Sequence, residues 1–373
     1  MWSIRALGRP APAAYGVLAV AVAVLALLPA LRPAGWSLTI LPRVGAGTQM
    51  AQVAREHDPG FHLVSAGPYD GQFYWGIAVD PIATGDAHRA FDEASYRYGH
   101  PLLGWLGWVL SAGQARAAPA ALLLAGLASL FAGAFLASTL GRMRGSAGWE
   151  GLFVALNPGL VYSGVHFLAE PLSAALLLAG LLAYVRGRLW VSAVCFALLV
   201  LSKEQFVLVP IAIAAWEIVR TRGRVRDTVV PFAACLVPAA LWWIYARAQL
   251  GDWFTSGGSA LTTPFTGWTH SLFDAGVGSY SSSSGRATFS EADLAVLATL
   301  VVLIAVGALL ALRLRGPCDP IYLLLTVVVV CLAPNAVTLL RDALRNTSVL
   351  LTLVPFVIAG AALRRERRAL MQL

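Results

Sequence analysis

Long apolar runs separated by short polar segments dominate the chain. Their spacing predicts an all-α polytopic membrane protein with ten spans, at 13–31, 117–140, 147–165, 169–186, 189–202, 205–220, 228–249, 293–313, 320–340 and 347–363. About 20 apolar residues in a helix reach across a hydrocarbon layer of roughly 30 Å. No segment alternates strictly as a half-buried strand does, and lipid tolerates only helices or closed barrels, so the spans read as helices. Spans 189–202 and 205–220 are short, since about 15 residues rise only some 22 Å. They fit helices set where the bilayer is thinned or entered by water, or one long broken helix. The stretch Gly99–Ser111 is shorter still, holds Pro101, and carries Trp105 and Trp108, which suit an interface. It reads as a juxtamembrane or re-entrant helix rather than a span.

The polar segments divide by charge. Arg5 and Arg9, Arg142 and Arg144, Arg186 and Arg188, the run Arg220–Arg226, Arg313 and Arg315, and the tail Arg364–Arg368 lie between or beyond the spans. Ten spans and a cytoplasmic N-terminus put every one of them on the cytoplasmic side, as the positive-inside bias requires. Both termini are then cytoplasmic, and the net charge of +8 becomes a matter of orientation. Nucleic-acid binding is set aside, because no soluble basic face exists to hold it. Charged residues make up 12% of the chain, against about 25% in soluble domains, which excludes a water-soluble fold. Ala13–Leu31 is too long for the apolar core of a signal peptide and reads as an uncleaved first span. Cys195, Cys235 and Cys331 fall inside spans as small hydrophobes and Cys318 in a basic loop. No disulfide framework, metal-ligand spacing or bound cofactor is expected. The chain thus reads as one transmembrane domain, 1–373, with outer loops at 32–116 and 250–292 and short outer turns near 166–168, 203–204 and 341–346.

Most of the uncommon polar residues collect on that outer side. Tyr69-Asp70-Gly71-Gln72-Phe73-Tyr74-Trp75 sets a carboxylate among aromatic rings. Phe73, Tyr74, Ile77 and Ala78 recur at helical spacing and predict a helix over 70–80, which Asp80-Pro81 ends. Asp70 suits two roles: a helix cap, worth about 1 kcal/mol, or a general base that takes a proton from an acceptor hydroxyl. Arg97 and His100 suit either capture of an anionic group or anchoring at lipid headgroups. Glu170 follows Asn157-Pro158, Tyr162 and His166 and opens a helix, where it favours the dipole. Yet an acid at the edge of an apolar span is costly and marks a functional site by default. Lys203-Glu204 reads as a local ion pair or as a point charge for a phosphate. Arg341, Asp342 and Arg345 put arginine on the outer side, against the orientation bias; headgroup contact or a lipid-linked phosphate explains that. The 250–292 loop interleaves Trp253, Phe254, Phe265, Trp268, Phe273 and Tyr280 with small polar residues, including Ser281–Ser284. Those rings suit sugar C–H surfaces or the membrane interface. No P-loop, dinucleotide fingerprint, zincin motif or nucleophile elbow occurs.

Together these motifs resemble the GT-C superfamily of integral-membrane glycosyltransferases, mannosyltransferase-like enzymes that use polyprenyl-phosphate sugars. Asp70 in YDGQFYWGIA matches the acid of the first outer loop, and His100-Pro101-Leu102-Leu103 the juxtamembrane pattern. Glu170 in NPGLVYSGVHFLAEPL matches the second acid, and Lys203 in LSKE and Arg345 ahead of TSVLLTLVP the later basic positions. The second acid is Glu where related groups often carry Asp, and no large soluble C-terminal domain is expected.

The resemblance implies inverting, metal-independent transfer of a hexosyl or pentosyl group to an envelope glycan, lipid or protein on the extracytoplasmic face, in cell-wall biogenesis. Asp70 is then the base, with Glu170 in support. Lys203, Arg345 and Arg341 hold the phosphate, and His100, Arg97, Tyr74 and Trp268 contact the substrates. The alternative is a transporter or flippase of a lipid-linked or polar solute. Polar residues clustered at one outward cavity favour the enzyme, and a polar trail through the bilayer favours transport.

Overall fold

The computed structural model describes residues 10–65, 67–221, 225–256, 261–273, 290–337 and 339–359. Among these residues the chain is helical, with isolated bridges at Gly45–Val64 and Leu261–Leu332 and no strand. The first half holds α1 (Pro12–Leu31), α2 (Gln49–His57), α3 (Gly71–Val79), α4 (Ala94–Arg97), α5 (Leu102–Leu110), α6 (Ala118–Met143), α7 (Glu150–Ala155), α8 (Pro158–Val165) and α9 (Glu170–Val185). The second holds α10 (Leu189–Ser202), α11 (Leu208–Thr221), α12 (Val225–Ala234), α13 (Val237–Leu250), α14 (Thr266–Phe273), α15 (Glu291–Ala311), α16 (Cys318–Val330), α17 (Pro334–Val337) and α18 (Leu340–Leu351).

Among the described residues, α1, α6, the segment Asp227–Leu250 and α15 are long and apolar enough to cross a membrane. Counting α8 and α9, bent by 119°, as one span gives a fifth. Apolar side chains on these helices, such as Leu25, Leu124, Leu241 and Leu309, face outward, as a lipid solvent permits. Where helices meet, the residues are small: Ala19 and Ala23 of α1 and Ala134 and Ala137 of α6 are fully buried. Without a hydrophobic drive between helices in lipid, close backbone approach supplies the attraction.

Several predicted spans are interrupted. The run 147–165 is two short helices, because Asn157 caps α8 through Gly159 N and Leu160 N, and Pro158 takes its first turn. Proline lacks the N–H a continuing helix needs. Span 320–340 stops at Val330, after which Leu332 bridges to Leu261 and Pro334 opens α17. Span 228–249 holds as the single candidate span Asp227–Leu250, with only a two-residue turn at 235–236 between Pro231 and Pro238. The segment 341–346 is not a loop before a span at 347–363. It lies on α18, which runs from Leu340 to Leu351, and Thr352 lies in the turn that follows. Its charges are accommodated there because Asp342 pairs with Tyr69 and Arg345 with Asp70. Residues 1–9 and 360–373, with the basic residues assigned to both termini, lie outside the described residues.

The segment 32–116 packs onto neighbouring helices. Helix α5 has nine residues and a length of about 14 Å, too short to cross a bilayer. Its Trp105 donates to the Pro81 carbonyl and meets Trp242 edge-on. From α13, Trp242 and Trp243 donate to the carbonyls of Tyr98 and Gly99 at 2.6 and 2.9 Å. Asp80 does end α3, but its buried carboxylate also gathers the next loop, accepting from Thr84 N, Gly85 N and the His88 ring. These contacts fix the segment that carries Asp70, Arg97 and His100.

Candidate active site

Asp70 stands at the N-terminus of α3, yet its side chain makes no capping bond. Its own backbone is already helical, at φ −59° and ψ −20°, and its carboxylate turns away toward two arginines. Arg97 Nη1 lies 3.2 Å from Oδ1 and Arg345 Nη1 lies 2.8 Å from Oδ2. Gly71, the next residue, sits directly against the His166 carbonyl, where a Cβ has no room. That approach docks the start of α3 on the turn between α8 and α9, and Glu170 opens the helix that follows.

Glu170 is 2% exposed. Its Oε1 accepts from Lys203 Nζ at 2.7 Å and lies 3.3 Å from Arg345 Nε. Lys203 and Glu204, adjacent in sequence, therefore do not form the local pair that sequence allows. Lys203 ends α10 in an extended conformation and turns to Glu170, while Glu204 pairs with His100 Nδ1 at 3.0 Å. Arg97 is further held by Asp92 and lies 4.0 Å from the centre of the Phe73 ring. Asp70, Glu170 and Glu204 are thus balanced by Lys203, Arg345 and Arg97, with His100 beside them.

Removing these charges from water costs several kcal/mol per ion, which ion pairing alone does not reliably recover. Such a cluster at the edge of apolar helices is the arrangement expected of a binding or catalytic site. Burial pushes the Asp70 carboxyl toward neutrality, but Arg345 and then Arg97 outweigh it and hold it well below the usual carboxylate range. Asp70 is therefore ionised, and its basicity is suppressed for as long as both arginines stay in place.

Two cavities meet at these side chains. The larger, about 520 Å³, is lined by Asp70, Arg97, Lys203, Glu204, Asn335 and Arg345 among others. Behind it, a recess of about 20 Å³ is lined by Asp70, Tyr74, His100 and Glu170 together with Lys203 and Arg345. That volume admits about one water-sized group. The acids, the cations, Tyr74 and His100 thus converge from α3, α4, α9, α10 and α18.

Two predicted contacts stand apart. Trp268 lines neither cavity; its buried indole donates to the Val329 carbonyl at 2.7 Å and fastens α14 to the end of α16. Arg341 also lines neither, and its guanidinium lies 4.7 Å from the centre of the Tyr69 ring. The rings that do line the larger cavity are Tyr69, Tyr96, Trp243 and Phe254, the last two stacked at 4.4 Å. Tyr280 and Ser281–Ser284 lie outside the described residues. His166 packs against Tyr162 and its Nδ1 lies 3.3 Å from the Leu41 carbonyl, a structural placement.

Three residues outside the predicted site set, Tyr69, Asp342 and Glu204, adjoin it. Tyr69 donates a short hydrogen bond to Asp342, and its ring lies 5.2 Å from the Arg345 guanidinium. This couple ties the residue before Asp70 to the helix one turn before Arg345. Glu204 lies 3.0 Å from His100 Nδ1. The available signals were adjacency to Asp70 and Lys203 and an acid set between two arginines. The chain matches no family model, and neither a curated protein nor a solved structure matches it.

Proposed function

We propose that the protein is a glycosyltransferase of the GT-C type. It moves a sugar from a polyprenyl-phosphate carrier to a hydroxyl of an envelope glycan, lipid or protein. The observation that carries this reading is the meeting of Asp70, Lys203 and Arg345 at the larger cavity, with Glu170 in the recess behind it, from segments up to 275 positions apart. On a ten-span topology with cytoplasmic termini, that cavity opens on the extracytoplasmic face.

In the reaction the acceptor oxygen attacks the anomeric carbon as its proton passes to Asp70. The bond from that carbon to the phosphate oxygen breaks, and the electron pair stays on the phosphate. Lys203 and Arg345 stabilise the charge that develops there, an effect that is largest in a desolvated site. A phosphate already leaves readily, so the chemistry asks for no enzyme nucleophile. Attack from the face opposite the phosphate inverts the anomeric centre. His100, with Glu204 beside it, and Tyr74 surround the recess behind Asp70, and the stacked Trp243 and Phe254 offer a face to sugar C–H groups. Clustering at one cavity favours this reading over transport, which calls for a polar path through the bilayer.

The test is made on membranes containing the full chain, supplied with a panel of labelled polyprenyl-phosphate sugars. We expect label to pass to an endogenous acceptor from at least one donor, above membranes lacking the chain. Movement of intact label across sealed vesicles with no transfer from any donor would instead establish the transporter.

A further inference from the structure

The cations that the proposed function assigns to the donor phosphate are engaged by the protein's own carboxylates. Arg345 lies 2.8 Å from Asp70 Oδ2 and 3.3 Å from Glu170 Oε1, and Lys203 donates to the same Glu170 oxygen at 2.7 Å. The engagement is incomplete. Glu170 Oε2 and Arg345 Nε are both buried, and neither has a hydrogen-bond partner among the described residues. The 3.3 Å approach is therefore an ionic contact without hydrogen-bond geometry. A buried acceptor and a buried donor left unmade are costly, the more so when charged. A phosphate offers the same chemistry to these cations, since arginine receives carboxylate and phosphate oxygens alike two at a time and lysine meets either as a point charge.

We propose that the donor binds by exchange: its phosphate takes Arg345 and Lys203 away from Asp70 and Glu170, so the empty site competes with its own substrate. This rests on the glycosyltransferase reading and deepens it. The lipid phosphate occupies the position between Lys203 Nζ and Arg345 now held by Glu170 Oε1 and Asp70 Oδ2. Exchange orders the reaction, because Asp70 loses the nearer of its two arginines only when donor arrives. It is a capable base only in the complex, and a stray hydroxyl or water entering first meets a carboxylate that is still neutralised. Glu170 acts here as a positioning residue: it holds the two cations in place when the phosphate is absent.

The competing picture is a scaffold in which the carboxylates aim the cations at the phosphate without yielding them. The two give opposite results for Glu170→Gln and Asp70→Asn, which keep shape and remove charge. Purified full-length protein in detergent is titrated with undecaprenyl phosphate, read by tryptophan fluorescence, with the neutral alcohol undecaprenol as control. Exchange gives each variant an affinity for the phosphate at least about tenfold above wild type, 1.4 kcal/mol, with no change for the alcohol. Unchanged or weaker phosphate binding by folded, monodisperse variants overturns it, as does an equal gain for the alcohol.

Should the amides fail to fold, Glu170→Asp serves. It keeps the charge but draws it back from Lys203 by one methylene, and it is also expected to tighten binding. Failure of the functional reading looks different: a chain that shows the tightening but never transfers sugar keeps the exchange and loses the transferase. A chain that transfers sugar without the tightening does the reverse. If neither wild type nor any variant binds the phosphate, both fall.

Discussion

Asp70→Asn is expected to lower the rate of sugar transfer by about 10²- to 10⁴-fold, the range for loss of a general base. The amide has nearly the same shape, but only one of its two terminal atoms is an acceptor, so it keeps at most one of the bonds that Arg97 and Arg345 make to separate carboxylate oxygens at 3.2 and 2.8 Å. What it cannot do is take a proton from the acceptor. Since Asp70 makes no cap to its own helix, the substitution does not remove a helix-stabilising bond, and expression should survive. Donor affinity should rise by at least about tenfold, as exchange requires, because the cations proposed to hold the phosphate are kept and a competing carboxylate is removed. The check is initial transfer rate in membranes matched for protein, with donor binding measured on the same variant. A rate within a few-fold of wild type would remove Asp70 from the chemistry.

Arg345→Lys is the second large effect, expected at about 10²- to 10³-fold in transfer, comparable to loss of a donor aimed at developing charge. The charge is conserved, so electrostatic balance with Asp70 and Glu170 is kept and the fold is not left with unpaired buried acids. The fork is lost. Arg345 reaches Asp70 through Nη1 and Glu170 through Nε, and its guanidinium also lies over Tyr69. An ammonium offers one compact charge and cannot reproduce that planar reach. Kinetics against donor concentration should show a fall in kcat with a rise in KM, since the same group binds the phosphate and stabilises it as it leaves. A change in KM alone would mean that Arg345 holds the ground state but does not follow the reaction.

Much of the helical framework was legible because apolar runs in lipid have a single regular solution. α1, α6, α9, α10 and α15 begin and end close to the runs that predicted them. The misread boundaries share a cause. Asn157-Pro158 and Pro334 interrupt continuous hydrophobicity, and a hydrophobicity window does not see a cap or a missing N–H. The segment 341–346 was read as a loop because it is charged. It is helical, and its charges find partners in Tyr69 and Asp70, which sequence spacing does not reveal.

The candidate site was legible in kind and less so in connection. Acids and cations stand out against an apolar chain, so Asp70, Glu170, Lys203 and Arg345 were visible individually. Which of them pair was not: adjacency suggested Lys203 with Glu204, whereas the fold sends each to a different partner. Aromatic rings gave the weakest guidance. A tryptophan in a polar loop serves equally as a sugar platform or a packing element. Trp268 took the second role, and Trp243, hidden inside an apolar run, lines the cavity. The Tyr69–Asp342 bond joins residues 273 positions apart, a pairing no local pattern encodes.

The most direct measurement is an experimental structure of the full chain with a polyprenyl phosphate bound. The phosphate should lie within hydrogen-bond distance of both Lys203 Nζ and the Arg345 guanidinium, with Asp70 facing the open cavity. A phosphate bound elsewhere, with the Asp70–Arg345 and Glu170–Lys203 pairs undisturbed, would contradict the assignment of this cluster to sugar transfer.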